Sequence, residues 1–381
     1  MKDVIYVTGH KNPDSDSICA AFSYAEFKNK TGKLPAIPVR LGNVSQETQY
    51  ILDYFGVEAP QLLKTVKLKV EDLEFDKITP VSPEISLKTA WTIMRDKNIK
   101  TLPVADENDH LLGVLAVSNL TSCYMDIWDN RILAKSNTSF ENIVDTLSAK
   151  EIYVNTERKT FPGKIVVSAM KPESMKDHIE AGDIAIVGDR EEVQDALLII
   201  TGSHTPTNKV IEKAKKSNIS VITTPHDSFT ASRLIVQSIP VGYVMIKDKL
   251  VTFSTDELVE DVKKVMIDTR YRSYPVISEN GKVLGTVSRY HLISNYKKKI
   301  IQVDHNERSQ SVDGLEEAEI LEIIDHHRVA DIQTSGPLYF RSEPIGSTST
   351  IVGKCFFENG IRPSKQAAGL MWGDNFRYIT I

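Results

Sequence analysis

Ile320-Leu321-Glu322-Ile323-Ile324-Asp325-His326-His327 is a short apolar run that ends in one acid and two imidazoles. Two other stretches are built alike. Val4-Ile5-Tyr6-Val7 leads into His10-Lys11-Asn12-Pro13-Asp14-Ser15-Asp16, and Ile300-Ile301-Gln302-Val303 leads into Asp304-His305-Asn306-Glu307. Runs of this kind are buried strands of a parallel sheet, and the residues after them lie at its carboxyl edge, where open α/β folds bind ligands. Singly, each cluster reads equally well as N-caps and turns. Three side by side converge carboxylates and imidazoles on one place. Oxygen and imidazole donors without thiolate suit a hard divalent ion such as Mn²⁺, Co²⁺ or Mg²⁺ better than structural zinc. Two such ions sharing a carboxylate serve phosphoryl hydrolysis.

A chain of 381 residues exceeds one ordinary core, so two or more domains are expected. The net charge of −5 supplies no basic field, which argues against a nucleic-acid partner. Three cysteines, odd in number and widely spaced, argue against a disulfide framework and for a reducing compartment. No apolar run approaches the ~20 residues that cross a bilayer, and the N-terminus enters a strand pattern at once. A cytoplasmic location with no membrane partner is expected.

Residues 1–64 alternate strand and helix: a strand at 4–8, a helix from Ser17, a strand near Ile37–Arg40 and a helix from Ser45. A repeat follows, its copies more than a hundred residues apart. The first holds the helix Leu87–Lys97, Leu102-Pro103-Val104-Ala105 and Leu112-Gly113-Val114-Leu115-Ala116. The second holds the helix Leu258–Thr269, Tyr274-Pro275-Val276-Ile277 and Leu284-Gly285-Thr286-Val287-Ser288. Each copy reads β-α-β-β-α, and two copies imply pairing about a pseudo-twofold axis. Another α/β stretch separates them, and from about 301 the first pattern resumes. One domain is therefore interrupted by the central block, which divides its metal site between residues 10–16 and 304–327.

Proline in the middle strand and glycine in the last make each repeat resemble the CBS domain, which pairs in tandem and binds adenine nucleotides. Lys100, Arg272 and Tyr274 flank the middle strands, where they would meet phosphate and adenine; the alternative is a solvated basic face with a packed aromatic. The family often places a hydroxyl and an acid after the glycine strand for ribose. Here those positions hold Ala116 and Asn119 in one copy, Ser288 and His291 in the other. Ile199-Ile200-Thr201-Gly202-Ser203 and Thr223-Thr224-Pro225-His226-Asp227 resemble the DRTGG domain, which accompanies CBS pairs and mediates dimerisation.

The three acid–imidazole clusters, together with Ser342-Glu343-Pro344-Ile345-Gly346-Ser347-Thr348, resemble the family II inorganic pyrophosphatases of the DHH phosphoesterase superfamily. The inserted CBS, DRTGG and CBS domains point to their nucleotide-regulated subgroup. The resemblance implies a parallel-sheet α/β fold for the DHH domain, placed at 1–64 and 301–371, with CBS domains at 65–126 and 243–300 around a DRTGG domain at 127–242. It implies His10 and Asp14 as ligands of one metal, Asp16 and His326 of the other, and Asp304 as the bridge. His327 would face substrate phosphate, Asp325 would orient an imidazole, and Ser347 and Thr348 would lie near the substrate. The implied cofactors are Mn²⁺ or Co²⁺ at two sites, with Mg²⁺ on the substrate. The implied partners are pyrophosphate, adenine nucleotides (AMP, ADP, ATP or a diadenosine polyphosphate) as regulators, and a second copy in a homodimer.

One departure stands out. The family continues past a helix like Lys365–Met371 into a strand ending Ser-Asp-Thr, whose aspartate completes the second metal site, whereas here Trp372–Ile381 follows. We expect 372–381 to be an aberrant tail from a shifted reading frame, with the following basic domain missing and turnover reduced. Two other functions fit this expectation: a non-catalytic adenine-nucleotide sensor, and a DHH phosphodiesterase acting on short oligonucleotides or cyclic dinucleotides.

Overall fold

Val7, Ile301, Val303 and Ile324 are fully buried at the centre of a six-stranded sheet, as β-branched runs covered on both faces require. In the computed structural model, residues 3–126, 129–157, 159–168, 179–188, 196–293, 296–334 and 336–375 are described. The chain divides into two compact units: residues 1–74, 256–264 and 292–381, and residues 75–255 and 265–291.

In the first unit the strands are β1 (Ile5–Thr8), β2 (Ala36–Arg40), β3 (Gln61–Leu62), β4 (Lys299–Val303), β5 (Glu319–Asp325) and β6 (Tyr339–Ser342). They lie in the order β6-β5-β4-β1-β2-β3, and every neighbouring pair is parallel. The order turns back between β1 and β4, so their carboxyl ends open a crevice where such sheets place a ligand. Register puts Thr8 opposite Gln302, Val303 opposite Ile324 and Asp325 opposite Ser342. Helices α1 (Ser15–Thr31), α2 (Gln46–Tyr54), α3 (Thr348–Glu358) and α4 (Lys365–Asn375) pack with this sheet. Tyr24 and Phe27 of α1 and Ile351, Val352 and Phe356 of α3 cover β1, β4 and β5 in one apolar cluster. Helix α4 runs on through Asn375, four residues beyond the expected end at 371, and residues 376–381 of the expected tail lie outside the described residues.

The segment 65–74, expected with the insertion, belongs to this first unit. Val66 N–H donates to the Asp313 carbonyl at 2.9 Å and Val70 N–H to that of Glu257 at 3.0 Å.

The second unit contains the hairpins of both repeats. The hairpin Thr101–Ala105 with Leu111–Ala116 is matched by Ser273–Ile277 with Val283–Ser288. A pseudo-twofold exchange links them: Val114 and Ile246 trade backbone bonds of 3.0 and 2.9 Å, as Thr286 and Asp76 do at 2.8 and 3.0 Å. Glycine in each last strand permits this approach, because a Cβ on Gly113 would lie 2.6 Å from the Ile246 carbonyl oxygen and one on Gly285 2.1 Å from that of Asp76. The same unit holds a five-stranded sheet in which Val221–Thr223, Ala196–Ile200, Asp183–Val187 and Ile165–Val167 are parallel and Lys150–Tyr153 is antiparallel at one edge.

Candidate metal centre

Three strand ends and two helix starts meet at Asp304. This residue follows β4, is 2% exposed, and takes a left-handed backbone (φ +63°) that only a few residue types, aspartate among them, tolerate well. Its Oδ2 lies 3.5 Å from His10 Nε2 and its Oδ1 3.4 Å from His326 Nε2. One carboxylate thus faces two separate imidazoles. On the His10 side, Asp14 Oδ1 is 3.8 Å away; on the His326 side, Asp16 Oδ2 is 3.7 Å away. Donor atoms of His10, Asp14 and Asp304 lie within 4.8 Å of one another, and so do those of Asp304, His326 and His327.

The surrounding chain fixes these groups. Ser17 Oγ donates to Asp304 Oδ2 at 2.8 Å, and Thr348 Oγ1 to Oδ1 at 3.1 Å. Asp14 caps α1 by accepting from Ser17 N. Asp16 accepts the Thr348 and Ser349 amides at the start of α3, at 2.6 and 2.8 Å. His326 Nδ1 donates to the Ile345 carbonyl at 2.9 Å, which leaves Nε2 to face Asp304 and Asp16 and, once its proton is displaced, to offer a lone pair to a cation. That tautomer and backing partner are typical of a metal-ligating imidazole.

Asp325 is fully buried. Its Oδ1 accepts from the amides of His326 and His327 and from His327 Nδ1, the last at 2.8 Å, while Oδ2 accepts from Asn306 Nδ2. Clamped there, the His327 side chain stays 51% exposed, so its Nε2 edge is open to a bound molecule.

Charge balance points to a cation. Burial, with Asp16 and Asp14 adding to it, pushes the Asp304 carboxyl up to about 7. The hydrogen bond with Asp304 pushes His326 up to about 9, against its own burial. Both shifts express an excess of desolvated negative charge, which a proton on the Asp304–His326 pair partly offsets. Burial holds His10 below its usual value and His305 down to about 4. Hard oxygen donors with neutral imidazoles suit one divalent ion on each side of Asp304.

In the second unit, a cavity of about 700 Å³ is lined by Lys100, Lys249, Arg270 and Arg272 with Thr101, Ser118, Thr121, Tyr271 and Ser273. Among the described residues, four cations and no carboxylate line it.

Three domain families match the chain: the CBS domain at residues 70–126, the DRTGG domain at 142–238 and the DHH family N-terminal domain at 226–373. The cobalt-dependent inorganic pyrophosphatase of Clostridium perfringens is 72% identical over 380 residues, covering 98% of this chain and 69% of the relative. A "Probable manganese-dependent inorganic pyrophosphatase" of Thermotoga maritima is 37% identical, over 96% of this chain and 68% of that one. The chain belongs to the family II inorganic pyrophosphatases. The CBS and DRTGG domains of the regulatory region of the Clostridium perfringens pyrophosphatase, solved with the activator diadenosine tetraphosphate, align at 65% identity and a TM-score of 0.56, over 58% of this chain and all of that one. This pyrophosphatase is thus a metal-dependent hydrolase, with Co²⁺ and Mn²⁺ as the cofactors of its relatives, and carries a nucleotide-binding type of insertion.

The pyrophosphatase departs from the sequence reading at four positions. Ser347 and Thr348 are both fully buried, with their side chains turned to the protein. Ser347 caps α3, and Thr348 holds Asp304 and Asp16. Tyr274 is fully buried too; its hydroxyl bonds Thr269 and the Tyr271 amide, and its ring packs on Phe253. Side chains alternate along a strand, so its neighbours Ser273 and Pro275 reach the cavity instead. Ser288 turns onto His291 Nδ1 and is absent from the cavity wall, whereas Lys100 and Arg272 line it as expected. Ser17, Asn306 and the Thr348 and Ser349 amides were missed as supports of the pyrophosphatase centre. Asn306 sits in the Asp304–Glu307 stretch and Ser17 beside Asp16, but backbone amides leave no mark in a sequence.

Proposed function

We propose that the Asp304 carboxylate bridges two divalent cations, one held by His10 and Asp14, the other by Asp16 and His326, and that pyrophosphate is cleaved there. The observation that carries this reading is the division of Asp304, one oxygen toward each imidazole at 3.5 and 3.4 Å. When bound, such a pair of cations neutralises phosphate charge and lowers the pKa of a water held between them. The chain's own groups orient the reactants. Asp325 holds the His327 ring so that Nε2 donates to a phosphoryl oxygen, where charge develops in the transition state. Mg²⁺ enters with pyrophosphate, since the phosphates on the open side need a further counter-charge.

The second unit, residues 75–255 and 265–291, serves as a regulatory insertion, with an adenine nucleotide in its cavity: AMP, ADP, ATP or a diadenosine polyphosphate. Lys100, Lys249, Arg270 and Arg272 supply the charge for its phosphates, and the diadenosine tetraphosphate bound by the Clostridium perfringens relative supports this. Three cysteines, odd in number and widely spaced, agree with a cytoplasmic setting. Among the described residues no helix is long and apolar enough to cross a membrane. A homodimer is the proposed assembly, to be tested by light scattering.

The test is phosphate release from pyrophosphate with Co²⁺ or Mn²⁺, for the wild type and Asp304→Asn. Release that the substitution reduces at least about 100-fold supports the reading. Nucleotide binding with no release under any metal leaves the sensor function in its place.

A further inference from the structure

Two hydroxyl residues in the first turns of two helices meet the metal centre in the same way. Ser17, in α1, donates its hydroxyl to Asp304 Oδ2 at 2.8 Å and its backbone N–H to Asp14 Oδ1 at 3.0 Å. Thr348, the first residue of α3, donates its hydroxyl to Asp304 Oδ1 at 3.1 Å and its backbone N–H to Asp16 Oδ2 at 2.6 Å. Both residues are fully buried. Asp14 and Asp304 Oδ2 belong to the His10 side of the centre, Asp16 and Asp304 Oδ1 to the His326 side. Each half is therefore built to one plan: an imidazole, a carboxylate of its own, one oxygen of Asp304, and a single residue that donates to both carboxylates.

The shared carboxylate is thus held at both oxygens. An ionised carboxylate offers about four lone-pair sites, two on each oxygen. On Asp304 one site of each oxygen receives a hydroxyl, which leaves one on each for a cation. The terminal torsion of an aspartate is soft, so an untethered carboxylate can turn to place both oxygens on one ion. Turning Asp304 that way would break two charge-assisted hydrogen bonds, one from α1 and one from α3. Ser17 Oγ also accepts the His10 amide at 3.3 Å, which ties this hydroxyl to the backbone of the imidazole it serves.

We propose that Ser17 and Thr348 are positioning residues, one for each cation, whose hydroxyls lock the Asp304 carboxylate across the two halves of the centre and so set the affinity of each half separately. This rests on the two-cation reading above.

The experiment is titration of the full chain with Co²⁺, followed by calorimetry and by the visible absorption of the bound ion, with melting temperatures as the check on folding. His10→Gln and His326→Gln each remove one binding step and so assign the two. Ser17→Ala should weaken the His10-side step about 10- to 100-fold and leave the other within about threefold. Thr348→Val, close to threonine in shape, should do the reverse, and Thr348→Ser, which keeps the hydroxyl, should restore the His326-side step. A purely structural role predicts that Ser17→Ala and Thr348→Val weaken both steps alike, in step with the melting temperature, and that outcome overturns the proposal. Should Ser17→Ala not fold, Thr348→Val against Thr348→Ser decides by the same criterion. A wild type that binds fewer than two Co²⁺ ions overturns the two-cation reading itself; two bound ions with both steps unchanged in the hydroxyl-free variants overturn only the roles of Ser17 and Thr348.

Discussion

Thr348 and Asp16 stand 332 positions apart and meet as amide and carboxylate at 2.6 Å. The second oxygen of Asp16 takes the Ser349 amide at 2.8 Å, so one carboxylate satisfies two of the unpaired N–H groups that begin α3. The same contact holds Asp16 Oδ2 3.7 Å from His326 Nε2. Asp16→Asn replaces one acceptor by an amine facing an N–H. Co²⁺ binding on the His326 side should weaken at least about 100-fold, and urea denaturation should show a loss of about 1–2 kcal/mol. Unaltered Co²⁺ binding would remove Asp16 from the ligand set.

Asp325 and His327 form the second testable pair. With Nδ1 held by Asp325 at 2.8 Å, the ring presents Nε2 outward. Asp325→Asn offers an amine or a neutral oxygen in place of the charge and loosens both the tautomer and the amides of His326 and His327. His327→Gln keeps a donor of different reach. In steady-state pyrophosphate hydrolysis, His327→Gln should lower kcat about 10²- to 10³-fold with little change in KM, as loss of a transition-state donor does. A change confined to KM would mean that His327 serves ground-state binding only.

Much of the metal centre was legible because its chemistry is concentrated in three strand-end clusters, and strand ends of a parallel sheet must converge. That rule brings the clusters of Asp14, Asp16, Asp304 and His326 together, and the family resemblance picked these members out of them. Ser347 and Thr348 were misplaced for a reason no spacing reveals: α3 closes down on α1, and its first turn is consumed in holding carboxylates. Strand parity misled at Tyr274. An aromatic next to a basic residue looks like a nucleotide clamp, but Arg272 and Tyr274 sit at the mouth and in the core of the same strand region. The left-handed backbone of Asp304, which aims its two oxygens at different imidazoles, has no signature in residue type beyond the tolerance of aspartate.

The contrast between cavity wall and core makes a third prediction. Arg272→Ala and Lys100→Ala remove cations from the cavity wall and should each weaken binding of AMP or diadenosine tetraphosphate about 10-fold or more, less so at high salt. Tyr274→Phe should leave the same affinity unchanged within about twofold while costing about 1 kcal/mol in urea, because its hydroxyl bonds Thr269 and the Tyr271 amide in the core. Calorimetric titration compares the three. Tyr274→Phe binding as weakly as Arg272→Ala would put the aromatic back in the nucleotide site.

Glu26 supplies a test of acid stability well away from the metal. On α1, it receives Lys30 Nζ at 2.7 Å and, across to the residues preceding α4, the Ser364 amide at 2.7 Å and the Ser364 hydroxyl. Burial works against its charged form, but these hydrogen bonds outweigh it and hold the carboxyl below its ordinary value. A depressed folded-state pKa means that the unfolded chain binds the proton first. The contribution is therefore complete above the ordinary glutamate range and is lost as pH falls through the lower folded value. Glu26→Gln cannot make the charge-assisted bonds and should cost about 1 kcal/mol at pH 7. The difference between wild type and variant, followed by urea denaturation from pH 7 downward, should shrink once the pH passes below the ordinary glutamate range. A difference that stays constant down to pH 3 would show that Glu26 acts through packing against Ser364 and not through its charge.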